Sequence, residues 1–182
     1  MKITKTEFDG VLVIEPEVFG DERGYFFESY NEEKFFNAGI NIKFVQDNVS
    51  KSQKGTIRGL HYQAGNSAQE KLCYVTRGKV LDIAVDIRSG SPAYGKYFAV
   101  ELSEENKKQL IIPKGFAHGF SVLCDDTIFV YKVSAPYNLK DERTILYNDK
   151  DLAIDWQVDS PIISGKDLKG VPFSKIEKDF IY

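Results

Sequence analysis

Along Lys79–Ile87 the side chains alternate: Leu81, Ile83, Val85 and Ile87 fall on one side of an extended backbone, Asp82 and Asp86 on the other. A period of two predicts a strand with one buried face, its aspartates forming a solvated or interface face. Tyr97–Leu102, Leu110–Ile112 and Thr127–Val133 carry the same signal, with turn residues at Arg77-Gly78, Ser89-Gly90-Ser91-Pro92 and Pro113-Lys114-Gly115 between them. In Thr127–Val133, Phe129, Tyr131 and Val133 share a face that Lys132 does not, so a Tyr131 lining a pocket requires that face to be the inner one. Short strands at this spacing favour a sandwich or jelly roll over a βαβ sheet. One helix is predicted, with Asn31 capping Glu32–Ala38, acidic residues in the first turn and Gly39 ending it. It should be short and peripheral. There is no internal repeat or linker, the polar segment after Ser164 is expected to fold back onto the barrel, and 182 residues suit a single domain over 1–182.

Charge and cysteine content narrow the partners. Twenty-four Lys+Arg against 27 Asp+Glu, a formal net of -3, offers no long-range field for polyanions, so nucleic acid is not expected as a partner. Cys73 and Cys124 cannot build a disulfide framework and lie in apolar stretches, where reduced, buried thiols are expected. No apolar run approaches the roughly 18 residues of a membrane span, and the start Met1-Lys2-Ile3-Thr4-Lys5 lacks the apolar core of a signal peptide. A soluble, cytoplasmic protein without a membrane partner is the expectation.

The chemistry concentrates in Gly55-Thr56-Ile57-Arg58-Gly59-Leu60-His61-Tyr62-Gln63, which holds a cation, a titratable base, a phenol and turn glycines in one short run. The only other histidine sits in Ile112-Pro113-Lys114-Gly115-Phe116-Ala117-His118-Gly119-Phe120. These runs predict one pocket lined by His61 and His118, with Arg58 and Lys71 supplying positive charge for an anionic ligand. A metal-binding barrel would need a second histidine near His61, but Gln63 stands there and too few nitrogen ligands remain, so no metal is expected. A Gly-x-Ser-x-Gly elbow, a Gly-x-Gly-x-x-Gly run and a P-loop are all missing, and neither cysteine stands in a polar, cationic context. General acid–base chemistry on an anionic small molecule is left.

Six ordered motifs together resemble the dTDP-4-dehydrorhamnose 3,5-epimerase family over nearly the whole chain: Phe19–Glu28, Gln46–Ser50, Arg58–Gln63, Lys71-Leu72, Pro113–Phe120 and Ser164–Asp167. The resemblance implies an all-β, cupin-type double-stranded β-helix (jelly roll) with a few short peripheral helices and an N-terminal arm. It implies a homodimer that needs no cofactor and inverts C3 and C5 of dTDP-4-keto-6-deoxy-D-glucose. On that match His61 is the base, Asp167 holds its other ring nitrogen, Lys71 stands near the C4 oxygen, and Tyr131 returns a proton from the opposite side. Arg58 and Lys166 match residues near the diphosphate and nucleotide, and Tyr137 an aromatic against thymine. Gln46, Asn48 and Glu142 match polar contacts to substrate, and His118 is read as pocket-lining, a structural hydrogen-bonding role being the alternative. Arg23, Phe26 and Glu28 match an arm that reaches across the dimer interface.

Each of these residues has a plainer reading taken alone. His61 would be a core histidine, Tyr131 a core phenol bonded to backbone, Lys71 and Arg58 solvated charges, and Asp167 a turn residue. Glu70 adjoins Lys71 and is placed to alter its charge environment. A monofunctional 3- or 5-epimerase of a dTDP-4-keto-deoxysugar and a non-catalytic nucleotide-sugar-binding cupin stay open as alternatives. The second has no use for an acid–base set.

Overall fold

The computed structural model describes residues 1–182. Fourteen strands, numbered in chain order, form two facing sheets and a hairpin. The first sheet runs β1 (Lys2–Lys5), β2 (Leu12–Glu15), β10 (Gln109–Ile112), β7 (Lys71–Arg77), β12 (Thr127–Val133), β5 (Gln46–Ser52). The second runs β13 (Glu142–Thr144), β6 (Thr56–Gln63), β11 (Phe116–Val122), β8 (Lys79–Asp86), β9 (Tyr97–Ser103), with β14 (Ile162–Ile163) parallel to β6. All other pairs are antiparallel, and the chain crosses repeatedly between the sheets, which makes a jelly roll as expected. Outside the barrel, β3 (Phe19–Asp21) and β4 (Gly24–Phe26) pair only with each other.

Three apolar layers hold this together. Between the sheets, Cys73, Val75, Val80, Ala84, Leu110, Phe120 and Phe129 form the central core, with Tyr131 packed against it. Phe129 and Tyr131 therefore do face inward. Beneath the second sheet, Leu81, Ile83 and Val85 meet Ile145, Leu152, Trp156 and Phe173 from the C-terminal third of the chain. A third cluster places Phe35 and Ile40 on Ile14, Leu72 and Ile111. Each such fully buried side chain contributes about 1.5–3 kcal/mol relative to exposure.

The second layer overturns the expectation for the aspartates of β8. Both are fully buried, because the face they share with Val80 and Ala84 looks into the barrel while the Leu81–Ile83–Val85 face lies under the C-terminal segment. Alternation identified the two faces correctly, but it cannot tell a solvated polar face from one covered by another layer. Asp86 accepts hydrogen bonds from Arg88 Nη2 (2.6 Å) and Ser91 Oγ (2.7 Å). The Arg88 guanidinium lies between the Phe116 and Tyr182 rings, 4.6 and 4.8 Å from their centroids.

Local signals set the remaining elements. Helix α1 (Glu32–Asn37) begins at Asn31, whose side chain accepts from the Lys34 N–H at 3.1 Å, and it ends at Ala38 before Gly39, which takes φ +84°. The tail lies against the barrel: Ser89 N–H donates to Phe180 O (2.8 Å) and Tyr62 Oη to Asp179 (3.0 Å). Cys73 is buried within β7, whereas Cys124 is only half-buried, because it lies in the turn after β11. No helix is long and apolar enough to cross a membrane.

Candidate active site

Strand register brings the two histidines together. On β6 and β11 the Cα atoms of His61 and His118 are paired, and the next pair is Arg58 with Phe120, so β6 carries one residue more than its partner. That bulge puts Arg58 and His61 on the same face although three positions separate them. Glycine makes it possible. Gly59 takes φ +127°, and a Cβ there would stand 2.6 Å from Gly119 Cα and 2.8 Å from His118 O.

These side chains line a cleft of about 1040 Å³ between the sheets. On the second sheet, His61 Nε2 lies 2.5 Å from Asp167 Oδ1. Asp167 is 3% exposed in a short 3-10 turn, where Gly59 N–H approaches Oδ2 at 3.5 Å and Ser164 Oγ accepts its own N–H at 3.1 Å. Burial works to raise the Asp167 carboxyl, but the bonds from His61, Gly59 and Ser164 outweigh it and hold it below its ordinary value. The pair fixes an Nε2–H tautomer and leaves Nδ1 free as a base.

The first sheet supplies the opposite wall. Lys71 opens β7, buried, with Nζ 3.3 Å from His118 Nδ1 and 5.7 Å from the centroid of the Tyr131 ring. Tyr131 on β12 pairs with Cys73 on one side and Asn48 on the other. Burial raises the Tyr131 phenol above its ordinary value, so it holds its proton at neutral pH. Burial also lowers the Lys71 ammonium. Glu70 does not reach Lys71: its carboxylate is held by Ser134 Oγ and stands 3.6 Å from Lys114.

Toward the mouth, Tyr137 Oη donates to Glu142 (2.9 Å), which also pairs with Lys166. Tyr137 N–H donates to Gln46 (3.3 Å), whose amide donates to Asn48 (2.9 Å). Arg58 Nε donates to Ser52 Oγ at 3.1 Å, leaving its terminal nitrogens for a ligand. The barrel and its C-terminal turn thus gather into one cleft every predicted site residue except three. Arg23 is paired with Asp21, Glu28 with Lys34, and Phe26 is 67% exposed, all on the β3–β4 hairpin and the segment after it, away from the cleft.

The cleft also holds residues not anticipated. Gln63 shares the His61 face and accepts from Asn138 N–H (3.0 Å); Gln69 donates to Ala135 O (2.7 Å). Ser50 lines it with a buried hydroxyl that has no partner, and its parity with Gln46 and Asn48 on β5 was a usable signal. Cys73, judged to lack a polar context, in fact lies with its sulfur 3.8 Å from His118 Nε2. Burial nevertheless raises its thiol well above the ordinary value, so it is no thiolate.

Walls that offer a base on one side and a proton donor on the other suit an acid–base isomerase on a jelly-roll frame. Comparison with known proteins agrees. The sequence profile of dTDP-4-dehydrorhamnose 3,5-epimerase matches residues 5–175. The enzyme of that name from Shigella flexneri is 53% identical over 95% of this chain and 96% of its own. Among solved structures, dTDP-6-deoxy-D-glucose-3,5-epimerase from Legionella pneumophila Philadelphia 1, in complex with dTDP-4-keto-L-rhamnose, superposes with a TM-score of 0.95 at 45% identity, covering 100% of this chain and 98% of that one. A 3'-monoepimerase from Streptomyces bikiniensis, in complex with dTDP-quinovose, gives 0.88 at 32% identity over 93% and 86%. The chain belongs to the dTDP-4-dehydrorhamnose 3,5-epimerase family.

Proposed function

We infer that this protein is a cofactor-independent isomerase that inverts C3 and C5 of dTDP-4-keto-6-deoxy-D-glucose, giving the L-lyxo precursor of dTDP-L-rhamnose. The observation that carries the reading is the placement of base and phenol on opposite sheets, His61 on β6 and Tyr131 on β12, around one cleft. Inversion needs a proton removed from one face of the sugar and returned to the other. Both carbons flank the C4 ketone, so losing either proton gives an enolate. His61 removes the proton, Asp167 stabilises the imidazolium that results, Lys71 faces the charge developing on O4, and Tyr131 reprotonates. Arg58 and Lys166 take the diphosphate and nucleotide, Tyr137 stacks on thymine, Gln46, Asn48 and Glu142 hold the sugar and its linkage, and His118 lines the pocket behind Lys71.

The working unit in this reading is a homodimer of one-domain subunits spanning 1–182. Arg23, Phe26 and Glu28 enter the partner's cleft, a role supported by their distance from their own and by the exposure of Phe19, Tyr25 and Phe26. The setting is the cytoplasm, with no nucleic-acid or membrane partner, in keeping with a net charge of -3. Incubating the purified protein with dTDP-4-keto-6-deoxy-D-glucose and a downstream reductase tests it. Formation of dTDP-L-rhamnose is expected; saturable binding of the nucleotide sugar without turnover would overturn the reading in favour of a binding cupin.

A further inference from the structure

Behind Lys71 lies a row of buried polar groups with no place in the acid–base scheme. His118 Nε2 is 2.7 Å from Asp82 Oδ1, and His118 Nδ1 is 3.3 Å from Lys71 Nζ. Asp82 is completely buried, His118 and Lys71 nearly so, and the imidazole is stacked on the Phe129 ring at 6.0 Å between centroids. The second oxygen of Asp82 has no hydrogen-bond partner. A buried carboxylate half-satisfied in this way is costly unless a nearby cation offsets it.

Few proton arrangements fit this row. An imidazolium 3.3 Å from an ammonium would place two cations together without water. Burial lowers the His118 imidazole, and although the Asp82 carboxylate raises it, the neighbouring Lys71 charge adds to the burial effect and the net direction is down. The ring is therefore neutral. With a carboxylate accepting at Nε2, the ring proton sits on Nε2 and Nδ1 presents a lone pair, which accepts one N–H of Lys71. The result is a cation and an anion bridged by one neutral ring.

We propose that Asp82, acting through His118, is a positioning residue that holds Lys71 as an ammonium aimed into the cleft. The idea rests on the epimerase reading of that cleft. The groups facing Lys71 come from every surrounding element: Cys73 from its own strand, Asp82 and His118 from β8 and β11, Glu142 from β13, and Tyr131 from β12, with His61 facing His118 from β6. Burial favours the free amine, whereas the carboxylates of Asp82 and Glu142 favour the ammonium; the Cys73 thiol, kept protonated by burial, adds no charge. Asp82 is the one whose influence runs through an orienting hydrogen bond. In Asp82→Asn the carboxamide carries no charge and can donate to Nε2, which turns the Nδ1 proton toward Lys71.

Because the chain has only two histidines, nitrogen-15 NMR of labelled protein gives two imidazole patterns, and His61→Gln assigns them. In the wild type, His118 is expected to be protonated at Nε2 alone from mildly acidic to alkaline pH; an Nδ1–H ring or an imidazolium would overturn the proposal. In folded Asp82→Asn, the alkaline fall of kcat is expected about one pH unit lower, a roughly tenfold loss on that limb with KM changed less than about twofold. A folded variant with an unmoved limb would overturn it as well. Should Asp82→Asn not fold, the wild-type tautomer and the titration of the Lys71 amine by the same method decide the matter. Absence of turnover in the wild type would sink the epimerase reading and leave the tautomer result standing, so the two failures are distinguishable.

Discussion

At the residue scale, the proposed mechanism has Asp167 fix which nitrogen of His61 is the base and supply the negative charge that an imidazolium needs after proton removal. Asp167→Asn keeps the size of the side chain but removes both effects, so kcat is expected to fall by roughly 10²–10⁴ with KM nearly unchanged, measured by steady-state kinetics. The same substitution has a signature in stability. Asp167 is held below its ordinary carboxyl value, so its contribution is present above that value and lost as pH falls through the lowered one. Thermal melts across the acid range should therefore show Asp167→Asn losing less stability on acidification than the parent. Lys71 carries the opposite sign: in the proposed mechanism it acts as an ammonium, burial lowers it, and activity should decline as pH rises through its lowered value. That His61, Lys71, Tyr131 and Asp167 share one cleft was legible because their motifs keep their order and spacing along the chain. Asp82 was not, since an aspartate alternating with Leu81 and Ile83 looks the same whether its face meets water or a second sheet.

Elements explain why two residues three apart work side by side. The extra residue in β6 opposite His118–Phe120 turns Arg58 and His61 toward one cleft, and it relies on Gly59 lying against Gly119 without a side chain. Gly59→Ala would force a Cβ onto Gly119 Cα and His118 O at φ +127°, costing about 2–5 kcal/mol, which a denaturant midpoint would register. Wild-type stability in that variant would contradict the close packing of the two strands. Four strands and the capped helix could be read from local signals, alternation in β8, β9, β10 and β12 and the Asn31 cap in α1. The bulge could not, because strict alternation assigns Arg58 and His61 to opposite faces, and only the cross-strand partner reveals the extra residue.

On the scale of the whole molecule, the jelly roll contributes two walls and a covered underside, and the β3–β4 hairpin leaves Phe19, Tyr25 and Phe26 at 58%, 57% and 67% exposure. Such a patch suits a second copy of the chain. Sedimentation is expected to give a dimer, and Phe26→Asp to weaken it and raise KM together; a monomer with wild-type KM would rule out a shared site. The barrel class was readable from short alternating strands, whereas the C-terminal layer under the second sheet was not, since Leu152, Trp156 and Phe173 lie in segments without strand or helix periodicity. The central claim is that His61 removes the protons on both sides of one ketone and Tyr131 returns them from the other wall. Its most direct test is proton NMR of dTDP-4-keto-6-deoxy-D-glucose incubated with the protein in heavy water. Deuterium is expected at both C3 and C5, absent from both in His61→Ala, and still entering without productive inversion in Tyr131→Phe. Label at one carbon alone, at neither, or undiminished in His61→Ala would contradict the account.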